Sequence, residues 1–179
     1  PELLCYYIQG CVIMVLTEGF TIVCDAGVHP AHTGLTALPF IDNLDWSTVD
    51  ALLITHFHLD HAAALTYIME KTNFCDGKGK VYMTHPTKAI YRFLMSDFVR
   101  ISNAGSDRML FDESEMLASW RQIEAVDYHQ EVVLGGGFRF TPYHAGHVLG
   151  IQDNARPVGQ GGLTRIDERG DVVPGGRYE

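Results

Sequence analysis

The spacing of apolar positions changes several times along the chain, and each change marks an element. Residues 11–16 and 20–24 are β-branched or aromatic runs separated by Thr17-Glu18-Gly19, which predicts an antiparallel hairpin with Gly19 at positive φ. A Pro-, His- and Gly-containing loop then runs to about residue 45. Within residues 49–55 the uninterrupted stretch Ala51-Leu52-Leu53-Ile54 fits a strand covered on both faces. Ala63, Leu65, Ile68 and Met69 give residues 60–71 a helical pattern, and residues 81–84 read as another buried strand. Pro86 stands where a first helical turn tolerates it, and Ile90, Phe93, Leu94, Phe98 and Val99 recur at helical spacing to about residue 101.

Residues 102–113 are polar and acidic, as in a surface loop, and lead into a short helix at 114–122. Residues 123–126, 131–134 and 138–142 read as strands, with Gly135-Gly136-Gly137 turning the last hairpin. Beyond Gly150 the periodicity stops. Residues 151–179 are rich in Gly, Arg, Asp and Pro and are expected to form a divergent tail, disordered or non-native in sequence. The expected organisation is α/β, a helix-covered sheet sandwich over residues 1–150 followed by that tail.

Composition narrows the picture. A chain of 179 residues, 46% hydrophobic, can bury one sizeable core and is too short for two ordinary domains. No apolar run approaches the roughly 18–20 residues of a membrane span, so a soluble protein is expected. The start at Pro1, without methionine or basic leader, reads as a fragment whose true N-terminus lies upstream. Thirteen Lys and Arg against 22 Asp and Glu leave a formal charge of −9, which argues against nucleic-acid binding by counterion release. Two bound divalent cations would reverse that locally. Cys5, Cys11, Cys24 and Cys75 show no CxxC spacing, so neither a disulfide framework nor a cysteine zinc site is indicated, and a reducing compartment is expected.

The candidate chemistry concentrates in His56-Phe57-His58-Leu59-Asp60-His61, between a buried strand and a helix. In extended backbone alternate side chains share a side, so His56 and His58 can reach one metal while Asp60 and His61 face a second position. Asp60 also stands where a carboxylate accepts N–H groups at a helix start. Three imidazoles and a carboxylate suit zinc best. A further ligand is expected from Tyr143-His144-Ala145-Gly146-His147, with His147 preferred because Gly146 lets the backbone bend, and His144 the alternative. The isolated His29, His32, His85 and His129 are read as surface or satisfied residues.

These stretches, with Asp25 in Val23-Cys24-Asp25-Ala26-Gly27, resemble the metallo-β-lactamase superfamily. The stretches at residues 24–30, 37–42, 83–91 and 143–150 narrow the likeness to its β-CASP nuclease branch, and there to the family of zinc endonucleases that cut pre-mRNA 3′ ends. The likeness covers roughly residues 9–150; the integrator-type nucleases are the neighbouring family. It implies an αββα sandwich, present here as an incomplete, N-terminal part. It further implies two zinc ions, with His56, His58 and His147 on one and Asp60 and His61 on the other, and Asp25 as a buried support. Asp60 and His61 are the residues it implicates in catalysis. RNA as substrate, the subunits of a cleavage and polyadenylation complex as partners, and the nucleus as location come from the same likeness; neither a membrane nor DNA does.

The likeness departs at both ends. Residues 1–7 do not match the expected Gly-rich first strand, and the apolar strand and Gly-Asp pair expected after His147 are missing beyond Ile151. Gly170-Asp171 is the only later such pair, and no apolar strand precedes it, so Asp171 is a weak candidate for a metal bridge. With three ligands for one metal and two for the other, the chain is expected to bind one zinc more tightly than a second and to be weakly active alone. The competing readings are a thioester or small-ester hydrolase of the same fold, and a non-catalytic fragment.

Overall fold

The computed structural model describes residues 19–39, 41–102, 109–135 and 138–144 in full, and the backbone of residues 4–8, 12–17, 103–104, 152–155, 164–166 and 172–174. Its framework is one six-stranded sheet in sequence order: β1 (Leu4–Ile8), β2 (Val12–Thr17), β3 (Phe20–Cys24), β4 (Ala51–Leu53), β5 (Lys80–Thr84) and β6 (Glu124–Val126). The first three strands are antiparallel and β3 to β6 parallel, with Val23 level with Leu52 and Leu52 level with Val81. Gly19 turns the β2–β3 hairpin at φ 87°, a conformation open to glycine at no steric cost.

The parallel strands lack polar alternation because both of their faces are covered. Val23, Leu52, Val81 and Met83 join the core beneath the helices, while Ile22, Cys24, Ala51, Leu53 and Tyr82 join a second cluster with Phe138 and Phe140. That second cluster packs on a three-stranded sheet of β7 (Val132–Val133), β8 (Arg139–His144) and β9 (Gln152–Ala155). The layers are therefore helices, sheet, sheet. A further pair, β10 (Thr164–Ile166) and β11 (Val172–Pro174), is antiparallel.

The helical layer comprises α1 (Leu59–Ala62), α2 (Leu65–Lys71), α3 (His85–Ala104) and α4 (Glu113–Gln122). A buried polar triad joins three of them: Thr66 Oγ1 lies 3.2 Å from the Tyr91 hydroxyl and 2.9 Å from Ser119 Oγ. Asp112 starts α4 in a capping box, its carboxylate accepting the Glu115 N–H at 2.8 Å while the Glu115 carboxylate accepts the Asp112 N–H at 3.0 Å. Among the described residues no helix is long and apolar enough to cross a membrane.

Four differences from the pattern are informative. The single helix expected over residues 60–71 is two, because the Ala64 N–H donates to the Ala26 carbonyl instead of continuing α1. The loop before β4 contains three 3₁₀ turns, Gly34–Ala37, Ile41–Asn43 and Trp46–Thr48, anchored by buried Ala37, Ile41 and Trp46. β1 forms in a stretch assigned no element. So does β9, which pairs with β8 through its backbone, so the polar Gln152-Asp153-Asn154 carry no strand pattern.

Candidate metal centre

Parallel β3, β4, β5 and β6 all end at one edge of the sheet, and the chain leaves each strand there with a chemically active residue. β3 delivers Asp25, β4 delivers Thr55 and His56, β5 delivers His85, and β6 delivers Asp127. Asp25 is buried at 7% exposure and sits at φ 67°, in the left-handed region that a non-glycine residue rarely occupies.

The Asp25 carboxylate organises the side chains around it. Its Oδ1 accepts the Thr55 N–H at 2.7 Å, and its Oδ2 accepts the Thr55 hydroxyl at 2.9 Å and faces His61 Nδ1 at 2.8 Å. An ionised carboxylate only accepts, so His61 carries its proton on Nδ1 and turns Nε2 outward. The Thr55 hydroxyl spends its one proton on Asp25, so His56 Nδ1, 2.9 Å away, donates to it and likewise leaves Nε2 as the outward lone pair. A network of three side-chain hydrogen bonds thereby sets both tautomers.

Backbone contacts fix the histidine turn against the β3 loop. Ala26 N–H donates to the His61 carbonyl at 2.7 Å, Val28 N–H to the Leu59 carbonyl at 3.1 Å, and Ala64 N–H to the Ala26 carbonyl at 2.7 Å. The approach is so close that a Cβ on Gly27 would stand 1.7 Å from the Asp60 carbonyl oxygen.

The outward atoms form two pairs. His56 Nε2 and His58 Nδ1 are 3.1 Å apart, and His61 Nε2 and Asp60 Oδ2 are 3.6 Å apart. Two metal–ligand bonds of about 2.0–2.1 Å at a tetrahedral angle separate their donors by about 3.3 Å, so each pair fits two positions of a divalent ion. The His56 and His61 rings lie 4.0 Å apart between centroids, which makes the two pairs neighbours. Among the described residues no group of three or more His, Cys, Asp or Glu side chains is gathered tightly enough to hold an ion. Burial acts to lower the His61 pKa, but the hydrogen bond and charge of Asp25 and the charge of Asp60 outweigh it and raise the value.

Of the other residues singled out in the sequence, His144 ends β8 exposed, its ring 5.6 Å from that of Tyr128. His147 and Asp171 lie outside the described residues. Sequence reasoning missed Thr55 and Gly27; the signal for Gly27 was the Asp25-Ala26-Gly27 turn beside the ligand block, and Thr55 left none. A groove of about 440 Å³ lined by Phe20, Lys78, Lys80, Tyr82 and Leu134 opens at the opposite ends of the parallel strands, away from this centre.

A sandwich carrying a histidine–aspartate block beyond its parallel strands defines a class, and residues 14–151 match the metallo-beta-lactamase superfamily domain. The chain belongs to the metallo-β-lactamase superfamily. Within it, the chain is 84% identical over 133 residues to a protein of Mycosarcoma maydis named Endoribonuclease YSH1, an overlap of 74% of this chain and 15% of that one. It is 59% identical over 133 residues to Endoribonuclease ysh1 of Schizosaccharomyces pombe, covering 74% of this chain and 17% of that one. The chain thus spans less than a fifth of the curated relatives it matches. Among solved structures, BJP-1, a subclass B3 metallo-beta-lactamase of Bradyrhizobium japonicum, shares the fold with a TM-score of 0.52 at 20% identity, over 86% of this chain and 53% of its own.

Proposed function

We propose that the chain carries the metal-binding part of a zinc endoribonuclease that cuts pre-mRNA at its 3′ end, in the nucleus and within a cleavage and polyadenylation complex. The observation that carries this reading is the His56–His61 block in a chain 84% identical over 133 residues to a protein named endoribonuclease. His56 and His58, with His147 as third ligand, hold one zinc, and Asp60 and His61 hold the second. His144 is the alternative to His147, and Asp171 the least supported candidate for the bridge.

Bound zinc would polarise a phosphoryl oxygen and bring the pKa of a water near neutrality. The chain's own contribution is to aim the ligands. Asp25 and Thr55 hold His56 and His61 in the tautomers that keep the proton on Nδ1 and put the lone pair on Nε2, and the Gly27 contact fixes the height of Asp60 above the sheet. Asp60 is half exposed, at 53%, so it can meet both an ion and a substrate from the open side.

The test is elemental analysis of the purified chain beside His58→Ala and His147→Ala, followed by assay on a single-stranded RNA and on a small thioester. Near-stoichiometric zinc lost in both variants, with weak RNA cleavage and no thioester turnover, is expected. Zinc retained in both variants, or thioester hydrolysis without action on RNA, overturns the reading.

A further inference from the structure

Outside the ligand block, four ring-bearing side chains gather at the same edge of the sheet. β6 ends at Val126 and hands Tyr128 and His129 to the edge that carries Asp25 and His56, and β8 ends there with Tyr143 and His144. The His129 N–H donates to the Pro142 carbonyl at 2.8 Å, which fixes the turn after β6 to the end of β8. The rings then pair across that junction: His129 with Tyr143 at 5.2 Å and 79°, Tyr128 with His144 at 5.6 Å and 55°.

Such geometry has a consequence for ligands. In the edge-on pair of His129 and Tyr143 neither ring is stacked on the other, so each keeps a face that its partner does not cover. His129 and Tyr143 are both exposed, and Tyr143 alternates along β8 with the buried Phe140 and Pro142, on the face turned away from the core. His129 holds φ at 63°, a conformation that costs a non-glycine residue free energy and presents its ring toward Tyr143.

The charge of the chain points to the same use. At −9, it is poorly suited to hold a polyanion through phosphate contacts, which require clustered Lys and Arg. Single strands have a second handle, because every unpaired base offers a π-face to an aromatic ring whatever its sequence. Tyr143 and His144 are consecutive on β8 and project to opposite faces, so the two ring pairs are separate. We infer that the exposed pair His129 and Tyr143 forms a stacking platform that holds bases of single-stranded RNA at the edge that carries the metal centre. The inference rests on the endoribonuclease reading and adds to it the residues that position the strand. Tyr143 is a positioning residue: it meets a base, not the reacting phosphate.

The experiment uses the purified 179-residue chain and an oligoribonucleotide of about ten residues carrying 2-aminopurine, whose fluorescence is quenched on stacking. Tyr143→Leu is expected to weaken binding about five- to a hundred-fold and to remove the quenching, by the usual worth of one stacked base. Tyr143→Phe, which keeps the ring, should bind as the unaltered chain does. Phe93→Leu, an exposed aromatic on α3, should also change nothing and controls for general adsorption. An abasic strand of the same length should bind the unaltered chain at least as weakly as the ordinary strand binds Tyr143→Leu. Unchanged affinity and quenching in Tyr143→Leu would overturn the platform and leave the nuclease reading standing. Failure of the unaltered chain to bind any single-stranded RNA would overturn both.

Discussion

Gly27 owes its identity to a neighbour's backbone and not to its own torsion angles. A methyl group there would collide with the Asp60 carbonyl, an atom that cannot rotate aside, so the whole histidine turn would have to rise from the sheet. Gly27→Ala should therefore lower metal stoichiometry and the midpoint of thermal unfolding together, measured by elemental analysis and calorimetry. Asp25 acts more selectively. Asp25→Asn keeps the shape but loses the charge and one acceptor from the bonds to Thr55 and His61, and metal affinity should fall about 10- to 100-fold in a chelator competition. The proposed ligand block stands out in the sequence because four side chains able to ligate a metal fall within six residues. Thr55 was not, since its role depends on a carboxylate 30 residues away that only the β3–β4 pairing brings into reach.

At the scale of elements, periodicity located most of the helices and strands and missed where hydrogen bonds were diverted. Residues 60–71 carry one helical pattern, yet the helix breaks at Ala63 and Ala64 because Ala26 accepts the Ala64 N–H on its carbonyl and donates its own N–H to the His61 carbonyl. No apolar spacing encodes that competition. Among the helices the buried Thr66–Tyr91–Ser119 triad is the vulnerable point, and its Tyr91 hydroxyl is held protonated by burial. Thr66→Val would remove the hydroxyl that meets the buried Tyr91 hydroxyl, while Ser119 keeps its bond to the Met116 carbonyl, and chemical denaturation should report a loss of about 1–3 kcal/mol. The α4 cap gives a pH signature instead. The Ser114 hydroxyl and the Glu115 N–H hold the Asp112 carboxyl below its ordinary value of 3.8. Its stabilisation is therefore complete above that value and fades as pH falls through the lowered one. The difference in denaturation midpoint between the unaltered chain and Asp112→Ala should be present at neutral pH and narrow below about pH 4.

For the whole molecule, the sandwich was readable from strands without polar alternation, which require cover on both faces; β9 was not, because its polar Gln152-Asp153-Asn154 pair with β8 through the backbone. If the proposed ligand turn holds ions, they bind only its folded arrangement, so adding a chelator should lower the thermal midpoint of the unaltered chain and leave that of His58→Ala unmoved. The knot around Asp25 adds a kinetic corollary. Its side-chain bonds join residues only 30 to 36 positions apart, and the amides of Ala26, Val28 and Ala64 close over the same short span. Closing so small a loop costs little chain entropy, so this region can order before the later strands arrive. In native-state hydrogen exchange those three amides should open as a single cooperative unit, and the order in which a ribosome releases the chain would then let the ligand turn take shape first.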